Sequence, residues 1–173
     1  MIRTEMIASI PELMHRHAGA RGDKLAFADV HSAVTYGELM RTTGNLAGSL
    51  SGAGVSPGHA VAILLPNSVE WVQSCLAINR AGALAVPISY DSSLPEIVYR
   101  MVDCGCRVLI TTAAMMDTVV RTRLQAPGLT TVICVGASRP ILQPSTNRHS
   151  SSTRPAPRDA PKACSSRSAA CCG

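Results

Sequence analysis

The chain of 173 residues has room for one domain of the common ~100 to 200-residue size, and with 46% hydrophobic and 16% charged residues most of it reads as globular. The net charge of +5 is lopsided: residues 1–137 hold ten Lys or Arg against ten Asp or Glu, whereas 138–173 hold six basic residues and Asp159 alone. A neutral body argues against a nucleic-acid surface, which wants a basic face with aromatic residues interleaved, and no stretch reaches the ~20 apolar residues of a membrane span.

The first residues mix Arg3, Glu5, Ser9, Pro11 and Glu12 into apolar ones, so they do not read as a secretory leader. Cys75 and Cys134 lie in apolar runs as small buried thiols do, and a reduced, cytoplasmic setting is expected. Ile10, Leu13, Met14 and His17 share one face of a short helix that Ser9 can cap and that is expected to pack on the rim. Residues 25–28 and 33–36 are brief extended pieces around a hairpin turn at Asp29–Ser32. Thr35 and Glu38 have capping-box spacing, and Leu39, Thr43, Leu46, Ala47 and Leu50 continue a helix toward Gly54.

Ala60–Leu65 is an unalternated apolar run, as in a strand covered on both faces. After Pro66 and Asn67, Ser68 can cap a helix carrying Val69, Val72, Cys75, Leu76 and Ile78, with Trp71 at its edge and Gly82 at its end. Ala83–Ile88 is a second strand, so the two should lie parallel through a right-handed crossover. The logic then repeats: a Ser93/Glu96 capping box, a helix to Gly105, a strand at Val108–Ile110, a helix over 113–124 and a strand at Thr130–Val135. The expected fold is α/β, a mostly parallel sheet with alternating helices.

Three ordered stretches carry a resemblance: Val34-Thr35-Tyr36-Gly37-Glu38-Leu39, Leu65-Pro66-Asn67-Ser68 with Glu70, and Asn79-Arg80-Ala81-Gly82 running to Val86-Pro87-Ile88. They resemble the amino-terminal motifs of AMP-forming adenylating enzymes, in the order of the acyl-CoA ligase branch, over roughly Ile10 to Gly136. The Leu-Pro-Asn-Ser stretch is most similar to bacterial fatty-acid CoA ligases. The resemblance implies activation of a fatty acid to an acyl adenylate and then acyl-CoA, with ATP, Mg²⁺ and coenzyme A as the family's cofactors. It also implies that the phosphate loop, the ribose-holding acid and the late catalytic lysine follow the part matched here. No catalytic, cofactor-binding or metal-binding residue is therefore assigned, and the expectation is a truncated ligase inactive by itself.

From Ser138 the composition shifts to eight Ser, five Pro, five Arg and five Ala, with Ile141 and Leu142 as the only large aliphatics. Residues 138–173 are expected to be disordered, and the mixture resembles a GC-rich gene read out of frame. Residues 1–137 are expected to be a partial adenylate-forming domain. The second reading is an interaction module that pairs with a separately encoded ligase remainder or an intact relative, and without the remainder the chain should fold poorly.

Other chemistries fare worse. Gly52, Gly54 and Gly58 lie at a helix-to-strand turn, the opposite of a dinucleotide loop, and no G-x-x-x-x-G-K-S/T run exists. Cys104 and Cys106, even with Cys164, Cys171 and Cys172, lack zinc spacing. His15 and His17 point about 200° apart on a helix. Neither Ser74 nor Ser89 stands in a nucleophile elbow, and Gly82 and Pro87 read as a helix stop and a strand-end constraint. A stand-alone small α/β nucleotide binder is the third reading, weakened by the missing phosphate loop.

Overall fold

The computed structural model describes residues 9–136 and 141–144, and each apolar run predicted to be a strand is one. Helix α1 (Ile10–Arg21) leads to a hairpin of β1 (Leu25–Ala28) and β2 (Ala33–Thr35), then to α2 (Tyr36–Gly52). The main sheet begins with β3 (Ala60–Leu64) and continues through α3 (Val69–Arg80), β4 (Leu84–Pro87), α4 (Leu94–Asp103) and β5 (Val108–Thr112). A 3-10 turn at Ala113–Met115 precedes α5 (Met116–Gln125), then β6 (Thr131–Val135) and β7 (Ile141–Pro144).

The strand order is β4-β3-β5-β6-β7, parallel from β4 to β6 with β7 antiparallel. From β3 the chain steps to one side, to β4, and then returns past β3 to β5 and β6. Right-handed crossovers therefore place α3 on one face and α4 and α5 on the other. The core follows this division. Val61, Ile63 and Leu65 share a cluster with Leu50 of α2 and Ile78 of α3, while Ala62 and Leu64 share one with Ile97 and Met101 of α4 and Val119 of α5. Alternate residues of one strand thus serve two cores, which is why Ala60–Leu65 shows no polar alternation.

Helix α1 packs on the rim as expected, and two other expectations need correction. On α1 only Met14 is buried; Ile10 is 51% and Leu13 37% exposed. The helix lies at the periphery, where Met14 meets a third, small cluster of Val34, Leu39 and Val69. The helix expected over 113–124 opens as a 3-10 turn because Met115 offers no side-chain cap to α5. The stretch expected to be disordered from Ser138 supplies β7, whose Ile141 and Leu142 lie opposite Cys134 and Ile133 of β6. The rest of that stretch lies outside the described residues.

Candidate functional site

The first motif is consumed by structure. The Thr35 backbone N–H donates to Glu38 Oε2 at 3.0 Å while the Glu38 N–H donates to Thr35 Oγ1 at 3.3 Å, a complete capping box. The Thr35 N–H and hydroxyl hold the Glu38 carboxyl below its ordinary pKa. Val34 and Leu39 are buried, and the Tyr36 ring lies 5.4 Å from that of His17, centre to centre. A Cβ on Gly37 would stand 3.2 Å from the Gly22 carbonyl oxygen, which accepts from the Gly37 N–H.

The third motif is equally occupied. Arg80 leaves the last turn of α3, and its Nη1 donates to the Met40 carbonyl of α2 at 2.8 Å, with Thr43 Oγ1 at 3.5 Å. Gly44 makes room, since a Cβ there would sit 3.2 Å from the guanidinium. Gly82 adopts φ +74°, and its N–H closes α3 onto Asn79 O at 3.0 Å.

At the start of α3 two side chains cap one helix. Ser68 Oγ accepts from the Trp71 N–H at 3.3 Å, and Asp29 Oδ2, arriving from the hairpin turn, accepts from the Val69 N–H at 2.8 Å. Asp29 Oδ1 also accepts from the His31 and Ser32 N–H groups, both at 2.7 Å. The Val69 N–H, then those of His31 and Ser32, hold the Asp29 carboxyl down at about 2. Sequence reasoning found the turn at Asp29–Ser32 but missed the tie to α3, which links positions forty apart and leaves no local signal.

The carboxyl ends of the strands are where a doubly wound sheet meets ligands. Its switch point, between β3 and β5, is bridged: the buried Thr111 hydroxyl donates to Leu64 O at 3.0 Å. The open space lies one strand over. A cleft of about 350 Å³ runs between the ends of β3 and β4, lined by residues 65–67, 71 and 87–91. The second motif's loop and the end of the third motif are its two walls. Asp91 is its only charged lining group, and Trp71 is half-buried while packed on the core.

Among the described residues no protein partner holds the side-chain polar groups of Asn67, Trp71, Ser89, Tyr90 or Asp91. Two other hollows differ. One of about 380 Å³ lies at the amino ends of the strands, beside the C-terminal ends of α2 and α4. Another, of about 390 Å³, separates α2 from α3 and is edged by Thr42, Asn45, Ser49, Glu70 and Gln73.

The remaining sequence candidates are placed as follows. Gly54 and Gly58 take φ +84° and +83° at the amino end of β3, far from the carboxyl rim. Cys106 is buried in the core, and burial, with a smaller push from Cys104, raises its thiol to about 11. Burial also raises the Cys75 and Cys134 thiols. Ser74 is buried and donates to its own helix at Glu70 O, 2.7 Å, whereas Ser89 lies on the cleft rim. His15 is exposed and His17 rests on Tyr36. Among the described residues no three His, Cys, Asp or Glu side chains converge as a metal would need, and no helix is long and apolar enough to cross a membrane.

A family model described as "AMP-binding enzyme" matches residues 14–171. Over 119 residues the chain is 40% identical to chalcone synthase cfoA of Aspergillus candidus, covering 69% of this chain and 4% of that protein. Feruloyl-CoA synthase of an Amycolatopsis species is 40% identical over 88 residues, 51% of this chain and 18% of that one. The solved anthranilate CoA ligase AuaEII, in complex with anthranoyl-AMP, superposes with a TM-score of 0.73 at 26% identity, covering 78% of this chain and 27% of that chain. The chain therefore spans well under a third of the length of each.

Proposed function

This chain belongs to the AMP-binding enzyme family, and from that premise we propose that it is the amino-terminal part of an acid–CoA ligase that activates a fatty acid. The observation that carries the reading is the family match over residues 14–171 together with the placement of the motifs. The first motif and Arg80 tie down α2 and α3, and the loops around Pro66 and Pro87 line the carboxyl rim of the sheet. The choice of a fatty acid rests on the Leu-Pro-Asn-Ser loop. An aryl acid is the second reading, favoured by the likeness to feruloyl-CoA synthase and to AuaEII.

In such a ligase the carboxylate attacks ATP, pyrophosphate leaves, and the acyl group passes to coenzyme A through an acyl adenylate. Stabilising that phosphoryl charge calls for a Gly-rich loop, Mg²⁺ and basic groups. The described residues do not fit such chemistry, since the rim cleft presents one carboxylate and no Lys or Arg. The contribution of this part is architectural, and the chain alone is inactive.

Its partner is the remainder of a ligase or an intact relative. Leu84 is 60% exposed on β4, the sheet edge among the described residues, and no charge between Ala81 and Tyr90 guards that edge against another strand. Acid-dependent exchange of pyrophosphate with ATP tests the proposal. The chain alone should not exceed a boiled control, and co-expression with the remainder of a family ligase should restore exchange. Restoration by palmitate but not ferulate supports the fatty-acid reading, and the reverse supports the aryl reading. Exchange by the chain alone would overturn its inactivity, while no exchange with either acid in the complemented protein would overturn the ligase reading.

A further inference from the structure

We propose that the cleft between the ends of β3 and β4 is a binding site for an uncharged aromatic ring bearing a hydrogen-bonding substituent. The inference stands apart from the ligase reading, since it needs neither ATP nor an acid. Its first support is shape and lining. About 350 Å³ falls within the ordinary size of small-molecule sites, roughly 300 to 1,000 Å³. The side chains that enclose it are flat or rigid: Trp71 and Tyr90, both half-buried, with Pro66 and Pro87. Aromatic faces and proline rings lose little freedom when a planar ligand stacks on them.

The second support is the polar chemistry. The polar side chains that cap α2, α3 and α4, namely Thr35, Ser68, Asp29 and Ser93, are engaged by the protein itself. In the cleft the Trp71 indole N–H, the Tyr90 hydroxyl, the Asn67 amide and the Ser89 hydroxyl have no such partner among the described residues, and all line one space. They offer donors and acceptors around an apolar floor formed by Leu65 and Ile88, both buried. That is the pattern of a small-ligand site, with an apolar body and a few convergent polar groups.

The third support is charge. The lining holds the Asp91 carboxylate and no Lys or Arg, so an anion meets repulsion there with nothing to offset it. A neutral ring with an amide or hydroxyl fits where a carboxylate or phosphate does not.

Trp71 is the only tryptophan of the chain, so its fluorescence reports on this cleft alone. The test titrates the full 173-residue chain with benzamide, benzoate and cyclohexanecarboxamide. Benzamide should quench saturably with a Kd of about 1 to 10 mM, the range set by its few atoms. Benzoate, sharing the ring but charged, and cyclohexanecarboxamide, sharing the amide but not aromatic, should each bind at least about fivefold more weakly. Tyr90→Ala should weaken benzamide by about three- to tenfold while leaving the far-UV spectrum unchanged. Absence of saturable quenching by benzamide overturns the proposal, whether or not the chain melts cooperatively. So do equal affinities for benzamide and benzoate, and an unaltered affinity in Tyr90→Ala, which would reveal simple collision with an exposed indole.

Discussion

Two regions beside the β3–α3–β4 unit use their polar residues in opposite ways. At the α2 side, Thr35, Glu38 and Arg80 all bond within the protein, holding a helix start or joining α2 to α3. At the carboxyl rim, the side chains of Asn67, Ser89, Tyr90 and Asp91 line an open cleft and bond to nothing else described. Among the motif residues, Thr35, Glu38 and Arg80 therefore serve as fasteners, whereas Asn67 and Pro87 face a cleft. A motif is evidence of ancestry before it is evidence of chemistry.

That contrast can be broken by mutation. The largest effect is expected at Gly82, where Ala must take a left-handed φ of +74° and place its Cβ 3.3 Å from Pro57 Cβ. The conformation alone costs about 1 to 2 kcal/mol, so urea denaturation should show at least that loss. Full stability in Gly82→Ala would show that the third motif is not a fastener.

A smaller, pH-gated effect belongs to Asp29. Its folded pKa is depressed from 3.8 to about 2 by the Val69, His31 and Ser32 N–H groups. A depressed carboxylate contributes stability above its unfolded pKa and loses it as pH falls toward the folded value. The wild type should therefore lose stability relative to Asp29→Asn between about pH 4 and pH 2, because only the carboxylate changes charge there. Parallel denaturation curves across that window would sever the link between hairpin and α3. Glu38 and Glu96, also held low by capping N–H groups, add the same sign of dependence in both proteins and cancel from the difference.

The smallest effects sharpen the other half. Asn67→Ala, Ser89→Ala and Asp91→Asn should each shift stability by no more than about 0.5 kcal/mol, the usual range for surface groups without internal partners. A loss above about 1 kcal/mol in thermal melts at any of them would mean that the cleft rim, too, is fastened from within.

Much of the fold was legible because its signals are local. Ala60–Leu65 reads as a covered strand from composition, Thr35/Glu38 and Ser93/Glu96 announce helix starts by spacing, and Gly82 and Gly105 mark helix ends with positive φ. What stayed hidden is non-local. Nothing near Asp29 says that it will cap α3, and nothing near Thr111 says that its hydroxyl will bridge to β3. The cleft is a further case: Trp71 reads as the edge of a helix face, and only the parallel pairing of β3 with β4 brings the 87–91 loop opposite it. The outward turn of Ile10 and Leu13 has the same origin, since periodicity defines a face without saying how much of it finds a neighbour.

The close approach of Arg80 to Gly44 makes two positions, thirty-six residues apart, a single unit of inheritance. A Cβ at 44 would stand 3.2 Å from the guanidinium, so a drift from glycine there makes the arginine give by a few tenths of an ångström and strains its bond to the Met40 carbonyl. A lineage that shortens residue 80 frees position 44 to vary, and one that keeps the arginine favours glycine there. Chimaeras that take α2 from one relative and α3 from another should fail most often where these two choices disagree, however well each helix suits its own parent.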